Sequence, residues 1–293
     1  MSISVVGVVG AGFMGSGIAE SVAAAGKQVV VYEPDDGPLQ RSRQSLVSSV
    51  RKAVSRKKLS QDAAARLISR VRYTTTFSDL ERAHAVIEAV TENADVKREL
   101  FARLDDQLPD ARFLASNTSS IPLAGLASWT ARPGRVLGLH FFSPVPIMKL
   151  VEVVVALDTA QGTVATAEQF AVEIGKRPIH TKDRAGFIVN TLLASYLMAA
   201  VRMYEEGFAS PEDIDTAMKL GCGHPMGPLS LCDFIGLDVM DAVCNSLYDE
   251  FKRPEYATPP LVRRMVASGH LGRKTGRGFY DYGPDSAALK AAA

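Results

Sequence analysis

An open α/β domain with a doubly wound, mostly parallel sheet, followed by an all-helical domain, is the architecture this sequence predicts. Three observations predict it. Short continuous apolar runs bounded by glycine or polar residues recur through the first part of the chain, with helical stretches between most of them. The first run leads into a glycine-rich turn that opens a helix. After Lys182 the pattern turns to helical periodicity with almost no β-branched alternation, so the join falls near 182–187 and the domains at 1–184 and 185–293.

The elements follow in order. Residues 3–9 read as a strand, 15–25 as a helix and 28–32 as a second strand, which together make a βαβ unit of a parallel sheet. Residues 37–70 then hold two helices where one crossover helix is expected, a helical-hairpin insertion. Its first helix carries Leu39, Leu46, Val50 and Ala53 at helical spacing, and between Arg41 and Lys58 it has seven basic residues and no acidic one. One face packs and the other presents positive charge. Further strands are expected at 85–90, 113–116, 136–142 and 150–156. In the second domain Gly207, Gly221, Gly227 and Gly236 are spaced as breaks between helices, and the Ala-rich end, 287–293, reads as a frayed tail.

Composition narrows the function classes. The chain has 293 residues, 47% of them hydrophobic and 22% charged, too apolar for a disordered protein. Thirty-three Lys and Arg face 32 Asp and Glu, so no net field draws it to nucleic acid or to an anionic membrane. No basic residue precedes Lys27, and the longest apolar stretch, 187–201, is interrupted by Asn190, Thr191 and Ser195 and is too short to span a bilayer. Neither a secretory signal nor a membrane span is expected. Cys222, Cys232 and Cys244 lack metal-ligand spacing and read as buried thiols in a reducing cytoplasm, with no metal site.

Gly10-Ala11-Gly12-Phe13-Met14-Gly15 matches the dinucleotide fingerprint, and it stands where that fingerprint has meaning, between a strand and a helix. Gly10 permits the tight turn, Gly12 lets the backbone approach a pyrophosphate, and Gly15 lets helix and strand pack closely, with the helix N-terminus facing the phosphate charge. Glu33 ends the second strand, 18 residues after Gly15. A carboxylate there accepts hydrogen bonds from the adenosine ribose and repels a 2′-phosphate, which favours NAD over NADP. The first domain is therefore Rossmann-type.

His140 closes an apolar strand in GLHFF, at the carboxyl end where open α/β sheets place their ligands. Twelve residues on, Glu152 interrupts an otherwise apolar strand, and a carboxylate there is costly unless paired. The turn through Ser143-Pro144-Val145-Pro146 can return Glu152 to His140, orienting the imidazole as a general base for an alcohol requires. The plainer alternative is a satisfied core histidine. Ser116-Asn117-Thr118-Ser119-Ser120 follows another strand, and two uses stand open for it. Its hydroxyls and Asn117 can bind a nicotinamide ribose and a substrate oxygen, or a Ser or Thr can cap the helix that begins near Ile121-Pro122. Asn190, near the start of an apolar helix, needs a partner that a carbonyl or His140 could supply.

GAGFMGSGIA, SNTSS, GLHFFSPVPIMKLVEVV, KDRAGFIVN, EDIDTAMKLGCGHPMGP and GRKTGRGFYDY, in that order over residues 10–282, together resemble the short-chain L-3-hydroxyacyl-CoA dehydrogenase family, the 3-hydroxybutyryl-CoA dehydrogenases. The long segment around His140 and Glu152 is far more specific than the glycine fingerprint. The resemblance implies NAD-dependent hydride transfer at C3 of a 3-hydroxyacyl-CoA, chemistry of fatty acid β-oxidation and butanoate metabolism. It makes His140 the general acid–base residue and Glu152 its partner, with Ser119 and Asn190 holding the substrate 3-oxygen. Glu33 would bind the adenosine ribose. Glu92, Lys97, Asn117, Ser119, Ser143 and Lys274 would make further cofactor contacts, Ser143 standing where family members commonly carry Asn. Ser49 and Arg56, with Lys57 beside them and Ser119 at the reacting end, would contact CoA, a use that competes with a merely solvated helix face. The helical domain would form a homodimer. A related dehydrogenase of a free sugar acid or hydroxy acid would use the same His and Glu without needing the basic hairpin, and a non-catalytic protein on the same fold would be expected to have lost them.

Overall fold

The computed structural model describes residues 3–283; the Ala-rich end at 287–293 lies outside them. The chain divides into two compact units, 1–184 and 185–293.

The first unit is built on one eight-stranded sheet. In chain order it runs β1 (Val5–Val9), α1 (Phe13–Ala24), β2 (Gln28–Tyr32), α2 (Asp36–Ser55), α3 (Gln61–Ser69), β3 (Val71–Thr74), β4 (Ala85–Glu88), α4 (Ala94–Gln107), β5 (Leu114–Ser116), α5 (Leu123–Ser128), β6 (Val136–Phe141), β7 (Leu150–Val155), α6 (Gln161–Glu173) and β8 (Arg177–Lys182). The strand order is β3-β2-β1-β4-β5-β6-β7-β8, parallel except where β7 runs antiparallel to β6. The order reverses between β1 and β4, which opens a crevice at their carboxyl ends.

The interior strands are buried over nearly their whole length, and β6 over all of it, which explains their continuous apolar runs. The outermost strands, β3 and β8, are absent from the sequence reading. They are half-exposed and mix polar with apolar residues, and β8 even contains Pro178, which only an edge tolerates. The insertion is the α2–α3 hairpin. Leu39, Leu46 and Val50 of α2 face the core, Ala53 is half-buried, and Arg41, Arg43, Arg51, Lys52, Arg56, Lys57 and Lys58 are exposed. Ser60 caps α3, its hydroxyl accepting from the Ala63 N–H at 3.2 Å.

The second unit is helical: α7 (Val189–Glu205), α8 (Pro211–Cys222), α9 (Pro228–Ile235), α10 (Leu237–Phe251) and α11 (Pro260–Ala267). Leu197, Met198, Val201, Leu229, Leu237, Leu247 and Val262 form its core. Two expectations need correction here. Gly221 lies inside α8, and the left-handed residue that ends the helix is Gly223, at φ +69°. Cys232 and Cys244 are buried, but Cys222 is exposed, because it sits on the solvent side of the last turn of α8.

Two buried aspartates tie the second unit together. Asp215 accepts from the Leu229 and Ser230 N–H groups at 2.8 and 2.9 Å, which caps α9 from another helix, and from the Tyr280 hydroxyl at 3.0 Å. Asp233 accepts from the Phe279 and Tyr280 N–H groups, both at 2.9 Å, and from the Tyr282 hydroxyl. Backbone therefore approaches each carboxylate closely. A Cβ at Gly278 would stand 1.9 Å from Asp233 Oδ1, with no space for it. No helix of the described residues is long and apolar enough to cross a membrane.

Gly278→Ala should therefore lower the stability of the protein by about 2 kcal/mol, the ordinary cost of forcing an extra methyl into a filled site. Urea unfolding followed by circular dichroism measures it, and an unchanged midpoint would show that the Asp233 clamp is loose.

Candidate active site

The crevice at the end of β1 and β4 is shaped by close backbone packing. Gly10 has φ +102°, and a Cβ there would lie 2.5 Å from the Ala89 carbonyl oxygen, so only glycine makes this turn. Gly12, by contrast, has open space where a Cβ would stand, as a backbone that receives a ligand requires. Glu33 follows β2 directly, and its Oε2 accepts from the Ala11 N–H at 3.1 Å. Ala11 is buried and Phe13 exposed, while Met14 packs on the core. A cavity of about 600 Å³ runs from Gly10 and Gly12 past Glu33. Its walls add Phe77, Val90, Val96 and Leu100, with Arg41 and Arg103 among the lining residues. The Arg103 guanidinium lies over the Phe77 ring at 3.7 Å from its centre. Val96, Leu100 and Arg103 lie on α4, while Arg41, Phe77 and Val90 come from separate segments, and none belongs to a motif that marks a ligand site, so the sequence offered no signal for them.

His140 and Glu152 face each other across the antiparallel pair of β6 and β7. Nδ1 of His140 lies 2.7 Å from Glu152 Oε2. Glu152 has no exposed surface and His140 is 7% exposed. The carboxylate takes the Nδ1 proton as its hydrogen bond, which leaves the lone pair of the neutral ring on Nε2 and fixes the ring's direction. Phe142 packs edge-on against the imidazole with centroids 4.7 Å apart. Asn117 Oδ1 accepts from the N–H of Phe141 at 2.9 Å, tying the end of β5 to the residue after His140.

The segment after β5 is held from the loop between β4 and α4. Thr118 Oγ1 donates to Glu92 Oε2 at 2.9 Å, and the Ser119 N–H donates to Glu92 Oε1 at 3.2 Å. Thr118 Oγ1 in turn accepts from the N–H groups of Ser120 and Ile121. These side chains shape the loop and do not cap α5. That cap comes from Asp183, whose carboxylate accepts from the Leu123 and Ala124 N–H groups at 3.0 and 2.7 Å. The helix starts at Leu123, two residues beyond the reach of the serines, and a distant acid does their work. Lys97 also differs from a simple ligand-facing contact. It is 1% exposed, its ammonium bound to Glu88 at 2.7 Å and 3.3 Å from Glu92.

The remaining predicted residues are placed as follows. Ser143 is exposed in the turn after β6. Ser49, on α2, donates to Glu20 Oε1 at 2.7 Å, and burial pushes the Glu20 carboxyl up while this hydrogen bond partly offsets it. Arg56 and Lys57 are exposed at the α2–α3 turn. Asn190 is half-buried in the first turn of α7, and Lys274 pairs with Asp238 at 2.5 Å; both belong to the second unit.

Comparison with known proteins finds matches over nearly all of the chain. The family described as the 3-hydroxyacyl-CoA dehydrogenase NAD binding domain matches residues 5–184, and that of the 3-hydroxyacyl-CoA dehydrogenase C-terminal domain matches 186–282. A 3-hydroxybutyryl-CoA dehydrogenase of Mycobacterium tuberculosis is 49% identical over 284 residues, 96% of this chain and 99% of that protein. The crystal structure of M. tuberculosis FadB2 superposes with a TM-score of 0.95 at 49% identity, over 97% of this chain and 100% of that one. That of (S)-3-hydroxybutyryl-CoA dehydrogenase PaaH1 from Ralstonia eutropha gives 0.92 at 45% identity, over 96% and 100%.

Proposed function

This chain belongs to the 3-hydroxyacyl-CoA dehydrogenase family, and from that premise we propose that it is an NAD-dependent (S)-3-hydroxyacyl-CoA dehydrogenase interconverting 3-hydroxybutyryl-CoA and acetoacetyl-CoA. The observation that carries the reading is the buried His140–Glu152 pair at the carboxyl edge of the sheet, 2.7 Å apart.

The crevice suits the cofactor. Open space at Gly12 admits a pyrophosphate, Glu33 at the end of β2 meets the adenosine ribose hydroxyls, and the apolar walls from Phe77 to Leu100 suit a base. Bound NAD supplies the acceptor or donor of the hydride. The protein supplies position and charge. In the oxidative direction Nε2 of His140 takes the proton of the 3-hydroxyl, and Glu152 stabilises the imidazolium that results. The family resemblance assigns Ser119 and Asn190 to the oxygen as it becomes a carbonyl. In reduction the imidazolium returns the proton. Asn117, Ser143 and Lys274 are read as cofactor contacts on the family resemblance, and Glu92 likewise, with Lys97 acting through it. Arg56 and Lys57, exposed on the hairpin, suit the phosphates of CoA, and Ser49 stands two turns earlier on the same helix.

The helical unit exposes Leu192, Phe208 and Leu220, an unusual amount of bare apolar surface, and we read it as the interface of a homodimer. The free, buried Cys232 and Cys244 suit a reducing cytoplasm.

Absorbance of NADH in the presence of acetoacetyl-CoA tests the activity. His140→Ala should lose roughly a hundredfold in kcat with circular dichroism unchanged, the usual worth of a placed acid–base group. A mutant within a few-fold of the parent would remove His140 from the chemistry. Reversing charge at Arg56 and Lys57 together should raise KM for acetoacetyl-CoA about tenfold, equivalent to one charge-assisted contact, with kcat little changed. An unmoved KM would favour a free hydroxy acid as substrate. Sedimentation should show a dimer that Leu220→Asp shifts towards monomer; a monomeric parent would leave the apolar surface without this use.

A further inference from the structure

Glu88, at the last position of β4, lies in none of the motifs that led to the site, yet both oxygens of its carboxylate are closely bonded. It has no exposed surface. Lys97 Nζ donates to both its oxygens, at 2.7 and 2.9 Å, Ser116 Oγ donates to Oε2 at 2.5 Å, and the Val90 N–H donates to Oε1 at 2.7 Å. Its backbone carbonyl accepts from the Asn117 N–H at 2.8 Å.

Two chains of hydrogen bonds leave this residue. One passes through the Lys97 ammonium to Glu92 and from Glu92 to the Ser119 N–H and the Thr118 hydroxyl. The other passes through Asn117 to the N–H of Phe141, next to His140. The first of them depends on charge. Lys97 stands between two carboxylates, buried Glu88 close to it and exposed Glu92 at 3.3 Å. As long as Glu88 satisfies the ammonium, Glu92 is free to hold the 118–119 backbone. Without the negative charge of Glu88, the buried ammonium would draw Glu92 inward, because an unpaired buried cation is far more costly than a displaced surface hydrogen bond.

We propose that Glu88 is a positioning residue for the reaction, whose charge restrains Lys97 so that Glu92 keeps Ser119 in place. The reading rests on the proposed activity for its consequence in turnover, but its structural part does not.

The test compares Glu88→Gln with the double variant Glu88→Gln/Lys97→Met, in which both buried charges are gone. Amide hydrogen exchange over residues 116–121 should accelerate about tenfold in the single variant and return to near the parent rate in the double, since no buried cation is left to compete for Glu92. At saturating NADH and acetoacetyl-CoA, kcat of the single variant should fall about tenfold, and the double variant, which also lacks Lys97, is read by exchange alone. A purely structural role would make the double variant equal to or worse than the single one, and that result overturns the proposal, as does parent-like exchange in Glu88→Gln. Should the single variant fail to fold, the double decides alone: a folded protein with parent-like exchange supports the proposal, and an unfolded or fast-exchanging one ends it. If the parent itself does not oxidise NADH with acetoacetyl-CoA, the assigned activity fails while the exchange measurement still judges Glu88.

Discussion

A carboxylate with no exposed surface is stable only when hydrogen-bond donors or a cation are packed against it, and this constraint organises the edge of the sheet that holds the candidate site. Glu152 on β7 and Glu88 on β4 are both fully buried near the carboxyl ends of β6 and β5. Each takes its partner from a neighbouring segment: His140 for Glu152, Lys97 and Ser116 for Glu88. The cost of leaving either acid unpaired fixes more than one contact. Slipping β7 by one residue would turn Glu152 to the other face of the sheet and leave both it and His140 without this pairing, so the buried pair also pins the register of β6 against β7.

Close approach of backbone is the second theme. Gly10 packs onto the Ala89 carbonyl so that β1 and β4 meet at the mouth of the crevice, and Val90 and its neighbours wall the cavity there. The second unit uses the same economy with different chemistry. Asp215 and Asp233 gather N–H groups from distant segments, and the glycines around them exist because a methyl would strike the acids. Burial pushes the Asp233 carboxyl up, and the Phe279 and Tyr280 N–H bonds pull it back.

The sheet's interior and the His–Glu pair were legible because each leaves a local mark. A fully buried parallel strand is a continuous apolar run, and an acid inside such a run announces that something must pair with it. The misses share the opposite property. Strands β3 and β8 lie at the edges, half in water, and their mixed residues look like loop. Asp183 caps a helix 60 residues away, a distance at which no spacing rule operates. Gly221 was misjudged because helix ends depend on which residue turns left-handed, and Gly223, two residues further on, does so; Cys222 was misjudged because spacing alone did not show that it faces solvent on the last turn.

With the roles of Ser119 and Asn190 resting on the family resemblance, residue order alone determined the two-part architecture, the fingerprint turn with Glu33 behind it, the excess of cations on the hairpin, and His140 and Glu152 as a candidate pair. It did so because periodicity, glycine placement and charge interruption act over a few residues. Only the tertiary structure decided that Glu88 stands behind Lys97, that Lys97 reaches Glu92, and that Phe77 and Arg103 line the crevice with Glu33. Those groups meet because separate strands and helices end at one edge of the sheet, and the energy that selects them, the pairing of buried charge, exists only once water has been excluded.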